Sequence, residues 1–225
     1  MKTPYFRALT IAGSDNSGGA GIQADLKTFS ALGCYGMSVI TALTAQNTKG
    51  VQGIQEVEPG FIEEQIHSIL DDIGVDAIKI GMLFNIPIIK TVAKIFREKE
   101  TSFIVIDPVM FAKSGDRLLK EAAVQAIKED LFPLATIITP NLLETEALLG
   151  RSIQSLEAMQ QAVVDLCSLG PKAAVVKGGG LTDSNSDDCL MVQGARLQWL
   201  KQDRLDTQNT HGTGCTFSSA IAAFL

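Results

Sequence analysis

The chain alternates between short, nearly continuous apolar runs and longer stretches in which apolar residues recur every three or four positions. Ile22, Leu26 and Phe29 follow the second pattern, which is typical of a helix with one buried face. Continuous apolar runs are typical of parallel strands that helices cover on both faces. The pattern therefore predicts strands separated by helices, at Ala8–Gly13, Met37–Ala45, Ala77–Gly81, Phe103–Asp107, Ala135–Thr139 and Ala173–Lys177.

Two further runs, Asp188–Gln193 and Arg196–Lys201, are joined around Gly194 and predict an antiparallel hairpin at one edge of the sheet. The predicted fold class is therefore α/β, with three α/β/α layers and a mostly parallel central sheet. A length of 225 residues suits one domain over residues 1–225. Because the chain stops at Leu225 inside an apolar helical pattern with no cap, we expect this domain to be truncated at its C-terminus.

Composition narrows the class of partner. The net charge of −6 argues against nucleic acid, whose phosphates need clustered Lys and Arg. The chain contains no run of about 18 apolar residues and no signal-peptide pattern, so we expect no contact with a membrane. Four scattered cysteines without a C-x-x-C pair fit a cytoplasmic protein and argue against a structural zinc site.

Glycine or polar residues follow each predicted parallel strand. Because ligands of open α/β sheets bind beyond the carboxyl ends of the strands, these residues predict a binding crevice. The alternative for any single loop is that it is polar only because it lies at the surface. The segments are Gly13-Ser14-Asp15, Gln46-Asn47-Thr48, Gly81-Met82, Asp107-Pro108-Val109, Pro140-Asn141 and Lys177-Gly178-Gly179-Gly180.

The segment Gly212-Thr213-Gly214-Cys215 precedes an apolar run and predicts the start of a helix. The free N–H groups and the positive dipole end of a helix start form an anion site that suits phosphate. The dipole also favours the thiolate of Cys215, which would then accept a hydroxyl proton. Two alternatives are a cysteine that only fills a buried helix start and a covalent nucleophile that His211 activates.

The chain has neither a P-loop nor a protein-kinase catalytic loop, so phosphoryl transfer would need a different set of parts. The anion site would stabilise the transferring group, and Lys177 would neutralise nucleotide phosphates. Asp107 and Glu144 are candidate Mg²⁺ ligands, acting through waters. These side chains also have structural alternatives. Asp107 could only turn the chain with the proline that follows it, and Lys177 could be a solvated residue at the end of a strand. Asn141 and Glu144 have the spacing of a helix capping box.

Gly19-Ala20-Gly21-Ile22-Gln23-Ala24 formally matches a dinucleotide-binding fingerprint. That interpretation needs an acidic residue about 20 positions later, and residues 38–48 contain none. We therefore interpret the glycines as sites where the backbone approaches a small ligand closely, or as a tight turn. Asp25, early in the same helix, complements the helix dipole whatever its function.

Three blocks together resemble the bacterial hydroxymethylpyrimidine/phosphomethylpyrimidine kinases of thiamine biosynthesis, in the ribokinase-like superfamily. They are the runs from Gly18 to Phe29, from Ala42 to Thr48 and from His211 to Cys215. The resemblance extends from about Leu9 to the last residue. It implies a ribokinase-like fold, a homodimer, and ATP-dependent phosphorylation of 4-amino-5-hydroxymethyl-2-methylpyrimidine and then of its monophosphate.

The resemblance also implies a role for each matching position. Cys215 would be the base, and the amides of Gly212, Thr213, Gly214 and Cys215 the anion hole. The Mg–ATP site would comprise Asp107, Asn141, Glu144 and Lys177, together with Thr213 and Gly214. The pyrimidine would contact Gln46, Asp25, Gly13, Met82 and Val109.

Two alternatives to this function stay open. Vitamin B6 kinases resemble the chain too, but they often carry Asp where Cys215 stands, so the cysteine favours the pyrimidine. A ligand sensor that keeps the pocket without turnover is the other alternative.

Overall fold

The computed structural model describes residues 5–47, 49–99, 103–111, 119, 121–181 and 185–225, so Thr48 lies outside the described part. The strands are β1 Arg7–Asp15, β2 Tyr35–Asn47, β3 Gly50–Glu56, β4 Ala77–Ile80, β5 Phe103–Ile106, β6 Ile137–Ile138, β7 Ala173–Val176, β8 Asp188–Val192 and β9 Gln198–Leu200. The α-helices are α1 Gly21–Ala31, α2 Pro59–Leu70, α3 Ile86–Glu98, α4 Glu121–Ala126, α5 Leu142–Leu149, α6 Leu156–Cys167 and α7 Thr213–Phe224.

The described strands form one sheet in the order β3-β2-β1-β4-β5-β6-β7-β8-β9. Pairing is parallel from β2 through β7, and β8 and β9 add the predicted antiparallel hairpin. The opposite edge carries β3, antiparallel to β2, which the sequence did not indicate. This strand is mostly exposed and contains two glycines, so it lacks the apolar pattern by which the other strands were found.

Alternate strand residues point to two separate apolar layers, as the predicted three-layer class requires. Leu9 and Ile11 of β1 belong to a large core that includes buried residues of α2, α3 and α6. Ala8 of β1 and Val105 of β5 belong to a smaller core with Phe29 of α1 and Ala222 of α7. Helices α1 and α7 therefore share one face of the sheet.

Several strand lengths differ from the prediction. β1 continues to Asp15, and β2 runs from Tyr35 to Asn47, where its last three residues pair with β3 beyond the end of β1. The strand predicted at Ala135–Thr139 contains only Ile137–Ile138, since a short 3₁₀ turn ends directly before it at Leu134. Among the described residues, no helix has both the length and the apolar character that crossing a membrane requires.

Candidate active site

A cleft of about 830 Å³ lies at the carboxyl ends of the parallel strands. It brings together the predicted residues from six loops and from the start of α7. Asp25 is the one predicted site residue that is absent from its walls. The predicted residues that line the cleft are Gly13, Gln46, Met82, Asp107, Val109, Asn141, Glu144, Lys177, Gly212, Thr213, Gly214 and Cys215.

The turn before α7 has a backbone that only glycine fits. Gly212 has a φ of 80°, and a Cβ atom there would stand 1.7 Å from the carbonyl oxygen of Gly19. A Cβ at Gly19 would in turn stand 2.5 Å from the His211 ring. The close approach at Gly19 is therefore between two loops of the protein, whereas the prediction was an approach of the backbone to a small ligand.

The ring of His211 is held by a buried carboxylate. Its Nε2 lies 2.8 Å from Oδ2 of Asp15, which is 2% exposed. The carboxylate of Asp15 also accepts hydrogen bonds from the N–H groups of Ser17 and Ala20. The pair ties the end of β1 to the turn before α7, a role that sequence reasoning missed because the two residues are 196 positions apart.

Cys215 lies where the starts of α1 and α7 meet. Lys79 adds a positive charge near its thiol, and the backbone N–H of Gly21, the first residue of α1, also favours the thiolate. Burial nevertheless raises the pKa of the thiol to about 11, against the opposing effects of Lys79 and Gly21. Our expectation that the dipole would favour a thiolate was wrong, because the desolvation of the thiol outweighs the dipole.

The buried Asp107 and the partly buried Lys177 form an ion pair below the start of α7. Lys177 Nζ lies 3.1 Å from Asp107 Oδ1, which also accepts a hydrogen bond from the Thr139 hydroxyl. A Cβ at Gly214 would stand 3.2 Å from that Nζ atom, so the ammonium is directly beneath the anion turn. Burial disfavours a charged Asp107, but Lys177 and Lys79 hold the pKa of its carboxyl below the usual value.

Asn141 and Glu144 form the capping box that the sequence offered as an alternative. The Asn141 side chain accepts from the Glu144 N–H at 2.9 Å, and the Glu144 carboxylate accepts from the Asn141 N–H at 2.9 Å. Burial and the neighbouring charge of Asp107 raise the pKa of Glu144 to about 7. Both carboxylates line the cleft, although the described residues contain no cluster of three or more metal-ligating side chains.

The opposite end of the cleft carries the residues predicted to hold the pyrimidine. Gln46 is half-buried, and its backbone N–H donates to the Asn16 side chain at 2.7 Å. Gly13 and Met82 are in close contact, since a Cβ at Gly13 would stand 2.4 Å from the methyl group of Met82. An amide beside apolar walls is suited to the polar edge and the flat faces of a small aromatic ring.

Asp25 does not lie on the cleft surface, which corrects its expected contact with the substrate. Its side chain is fully buried, and Lys79 Nζ lies 2.9 Å from Oδ1 and 2.8 Å from Oδ2. Lys79 itself reaches the wall of the cleft. A buried carboxylate needs a counter-charge, and this lysine of β4 supplies it. The sequence signal for this ion pair was weak, because it consists of a single lysine within the otherwise apolar strand Ala77–Ile80.

Gly81→Ala is expected to lower the free energy of unfolding by about 1–3 kcal/mol, the usual cost of an overpacked core. A Cβ there would stand 2.9 Å from Lys79 Nζ, which its buried ion pair with Asp25 prevents from moving. Urea denaturation measures the change. Gly60→Ala in α2 is the matched control, because its Cβ meets nothing within 4 Å. Equal stability of the two variants would contradict the fixed position of Lys79.

Comparison with known proteins assigns the chain to a family. The family model described as phosphomethylpyrimidine kinase matches residues 15–225. The hydroxymethylpyrimidine/phosphomethylpyrimidine kinase of Salmonella typhimurium is 49% identical over 220 residues, which cover 96% of this chain and 81% of that protein. The thiamine biosynthesis bifunctional protein ThiED of Geobacter sulfurreducens is also 49% identical, over 99% of this chain. The chain spans only 45% of the length of that bifunctional protein.

Solved structures agree with this assignment. The phosphomethylpyrimidine kinase of Clostridium difficile superposes with a TM-score of 0.86 at 43% identity, covering 97% of this chain and 90% of that one. The ADP complex of a pyridoxal kinase from Bacillus subtilis superposes with a TM-score of 0.90 at 42% identity, covering 98% and 84%. The fold is therefore ribokinase-like, and this chain belongs to the phosphomethylpyrimidine kinase family of phosphotransferases.

Proposed function

We propose that this protein transfers the γ-phosphoryl group of ATP to the hydroxymethyl group of 4-amino-5-hydroxymethyl-2-methylpyrimidine, and then phosphorylates the resulting monophosphate. The observation that carries this proposal is the start of α7 at the middle of the cleft, with the Asp107–Lys177 pair beneath it and Gln46 on a separate wall. A phosphoryl group at the anion turn would thus have room for a nucleotide on one side and a small ring on the other. The relatives that carry this activity in their names support the same substrates.

The nucleotide side would use Lys177, Asn141, Thr213 and Gly214. Lys177 offers a point charge to phosphate oxygens, and the first N–H groups of α7 offer hydrogen bonds and the dipole. Phosphoryl transfer depends mainly on such positioning and charge neutralisation. An ADP complex of a pyridoxal kinase that is 42% identical to this chain supports a nucleotide in this cleft.

Asp107 and Glu144 fit a magnesium ion that arrives with the nucleotide. Two buried carboxylates that repel each other, with the pKa of Glu144 raised to about 7, form a site in which a cation relieves the repulsion. Mg²⁺ commonly uses one or two carboxylates together with waters and substrate phosphates. When bound, it would neutralise charge on the phosphates.

The acceptor side would place the substrate hydroxyl against Cys215. The hydroxyl oxygen forms a bond to the γ-phosphorus, the bond from that phosphorus to the β–γ bridging oxygen breaks, and ADP leaves. The hydroxyl proton passes to the ionised fraction of Cys215, and the loose transition state lets this occur late. Gln46 would pair with the amino and ring-nitrogen edge of the pyrimidine, between the walls formed by Gly13, Met82 and Val109.

The second candidate substrate is pyridoxal, which the similarity to the pyridoxal kinase of Bacillus subtilis favours. We expect a coupled ADP-release assay to give a higher kcat/KM for the pyrimidine alcohol and its monophosphate than for pyridoxal.

Gln46→Ala should raise the KM for the pyrimidines by about tenfold, the cost of one neutral hydrogen bond or slightly more. Gln52→Ala on the neighbouring strand β3 is the matched control, because Gln52 does not line the cleft.

Two results of this assay would overturn the proposal. A kcat/KM for pyridoxal far above both pyrimidine values would reverse the order of substrates. Tight pyrimidine binding without ADP release would support a ligand sensor instead.

The length of 225 residues supports one kinase domain, and the family resemblance implies a homodimer. Sedimentation equilibrium would test the dimer. The four free cysteines suit a reducing compartment, so we place the protein in the cytoplasm.

A further inference from the structure

Asp25 stands at the centre of a fully buried polar network. Its Oδ2 accepts a hydrogen bond from the Thr10 hydroxyl at 2.6 Å, and its Oδ1 accepts one from the Ser219 hydroxyl at 2.7 Å. Lys79 donates to both oxygens, and all four residues are 0% exposed. The network joins β1, α1, β4 and α7, so four elements meet at one carboxylate.

This network lies directly behind the proposed transfer centre. Ser219 is four residues after Cys215, so the two side chains lie on one face of α7, one turn apart. Lys79 is fully buried directly behind the wall of the cleft and interacts electrostatically with Cys215 and Asp107. The ammonium is therefore a permanent positive charge next to the position where the anions of the reaction would gather.

Stability alone does not account for such an arrangement. Replacing a buried ion pair by apolar side chains of similar volume is often neutral or stabilising. The neighbouring Ser218 hydroxyl lies 3.3 Å from Asp107 but only 2.9 Å from the carbonyl oxygen of Gly214, the usual acceptor of a helical serine. The hydrogen bond from Ser219 to Asp25, which is paired with Lys79, therefore ties α7 to a buried carboxylate. Because Ser219 lies one turn after Cys215, this anchor helps to fix where the first turn of α7 begins.

We propose that Asp25, Lys79 and Ser219 are positioning residues of the phosphoryl-transfer reaction. Ser219 and Asp25 hold the first turn of α7, which carries the anion site, and Asp25 holds the ammonium of Lys79 beneath that site. The proposal rests on the proposed function for its kinetic consequences. It assigns Asp25 a role through α7 instead of a contact with the pyrimidine.

Ser219→Ala tests the anchor, and Thr10→Val is its matched control. Each variant removes one hydrogen bond to the same carboxylate, but only Ser219 belongs to α7. Both should lower the melting temperature by a similar few degrees. Ser219→Ala alone should lower kcat about tenfold with the KM for the pyrimidine within twofold, because an anion site acts mainly in the transition state. It alone should speed amide hydrogen exchange in residues 213–217.

Hydrogen exchange keeps this test separate from the proposed function. If wild-type protein phosphorylated no pyrimidine, the proposed function would fail, while the exchange rates would still decide the positioning role. Equal exchange rates and equal kcat values in Ser219→Ala and Thr10→Val would overturn the anchor.

The double variant Asp25→Asn/Lys79→Met removes both buried charges together and so avoids leaving one unpaired. We expect pyrimidine affinity, measured by calorimetry, to stay within about threefold, whereas kcat falls at least 100-fold through loss of the ammonium. If Asp25 contacts the pyrimidine instead, affinity would fall by at least tenfold, and that result would overturn our assignment.

Discussion

Gly212→Ala is expected to lower kcat by about 10²–10³-fold, the usual effect of losing an anion-hole donor. The new Cβ would stand 1.7 Å from the carbonyl oxygen of Gly19, so one of the two loops must move. Movement of the turn carries the first N–H groups of α7 away from the phosphoryl group. A left-handed φ of 80° adds about 1–2 kcal/mol of backbone strain for any residue with a Cβ.

Gly150→Ala is the control that introduces the same backbone strain without displacing the anion site. Gly150 ends α5 with a φ of 67°, but its Cβ would meet nothing within 4 Å. We expect it to lose about 1 kcal/mol of stability with kcat unchanged. Steady-state kinetics and urea denaturation of both variants provide the comparison. If Gly212→Ala kept its kcat while losing stability like the control, the turn would have no part in the reaction.

The strand ends were predictable because two strong signals coincide there. A buried parallel strand is continuously apolar, so the first polar residues after it mark the edge of the sheet where ligands bind. Asp107, Lys177 and Asn141 were found in this way, and the cleft contains all three. The start of α7 was predictable for a similar reason, since glycines before an apolar helix indicate a turn with free N–H groups.

What the sequence could not show are contacts between distant positions. Asp25 was expected at the substrate because the family resemblance implied that contact, yet Lys79, 54 residues later, holds it inside the protein. The raised pKa of Cys215 has the same origin, since burial is a property of packing and not of the local motif. The turn chemistry of a motif can therefore be predicted more securely than the protonation of its side chains.

The raised pKa of the Cys215 thiol leads to a definite pH dependence. With the pKa of the thiol at about 11, only a small fraction is ionised at neutral pH, and that fraction rises about tenfold per pH unit. If the thiolate accepts the hydroxyl proton, log kcat should rise with a slope near 1 between about pH 8 and pH 10. This range lies above the pKa of about 7 of Glu144, so that carboxylate is already ionised throughout.

Two substitutions of Cys215 test whether the rise of log kcat with pH comes from ionisation of the thiol. Cys215→Ala should lower kcat at pH 9 by about 10²–10⁴-fold, the usual contribution of a general base, and should abolish the slope. Cys215→Asp should retain part of the activity with a flat profile, because a carboxylate is ionised over the whole range. The rates are measured at saturating nucleotide and pyrimidine, so that they report kcat. A wild-type profile parallel to that of Cys215→Ala would remove the cysteine from proton transfer and leave the anion turn and Lys177 as the main sources of catalysis.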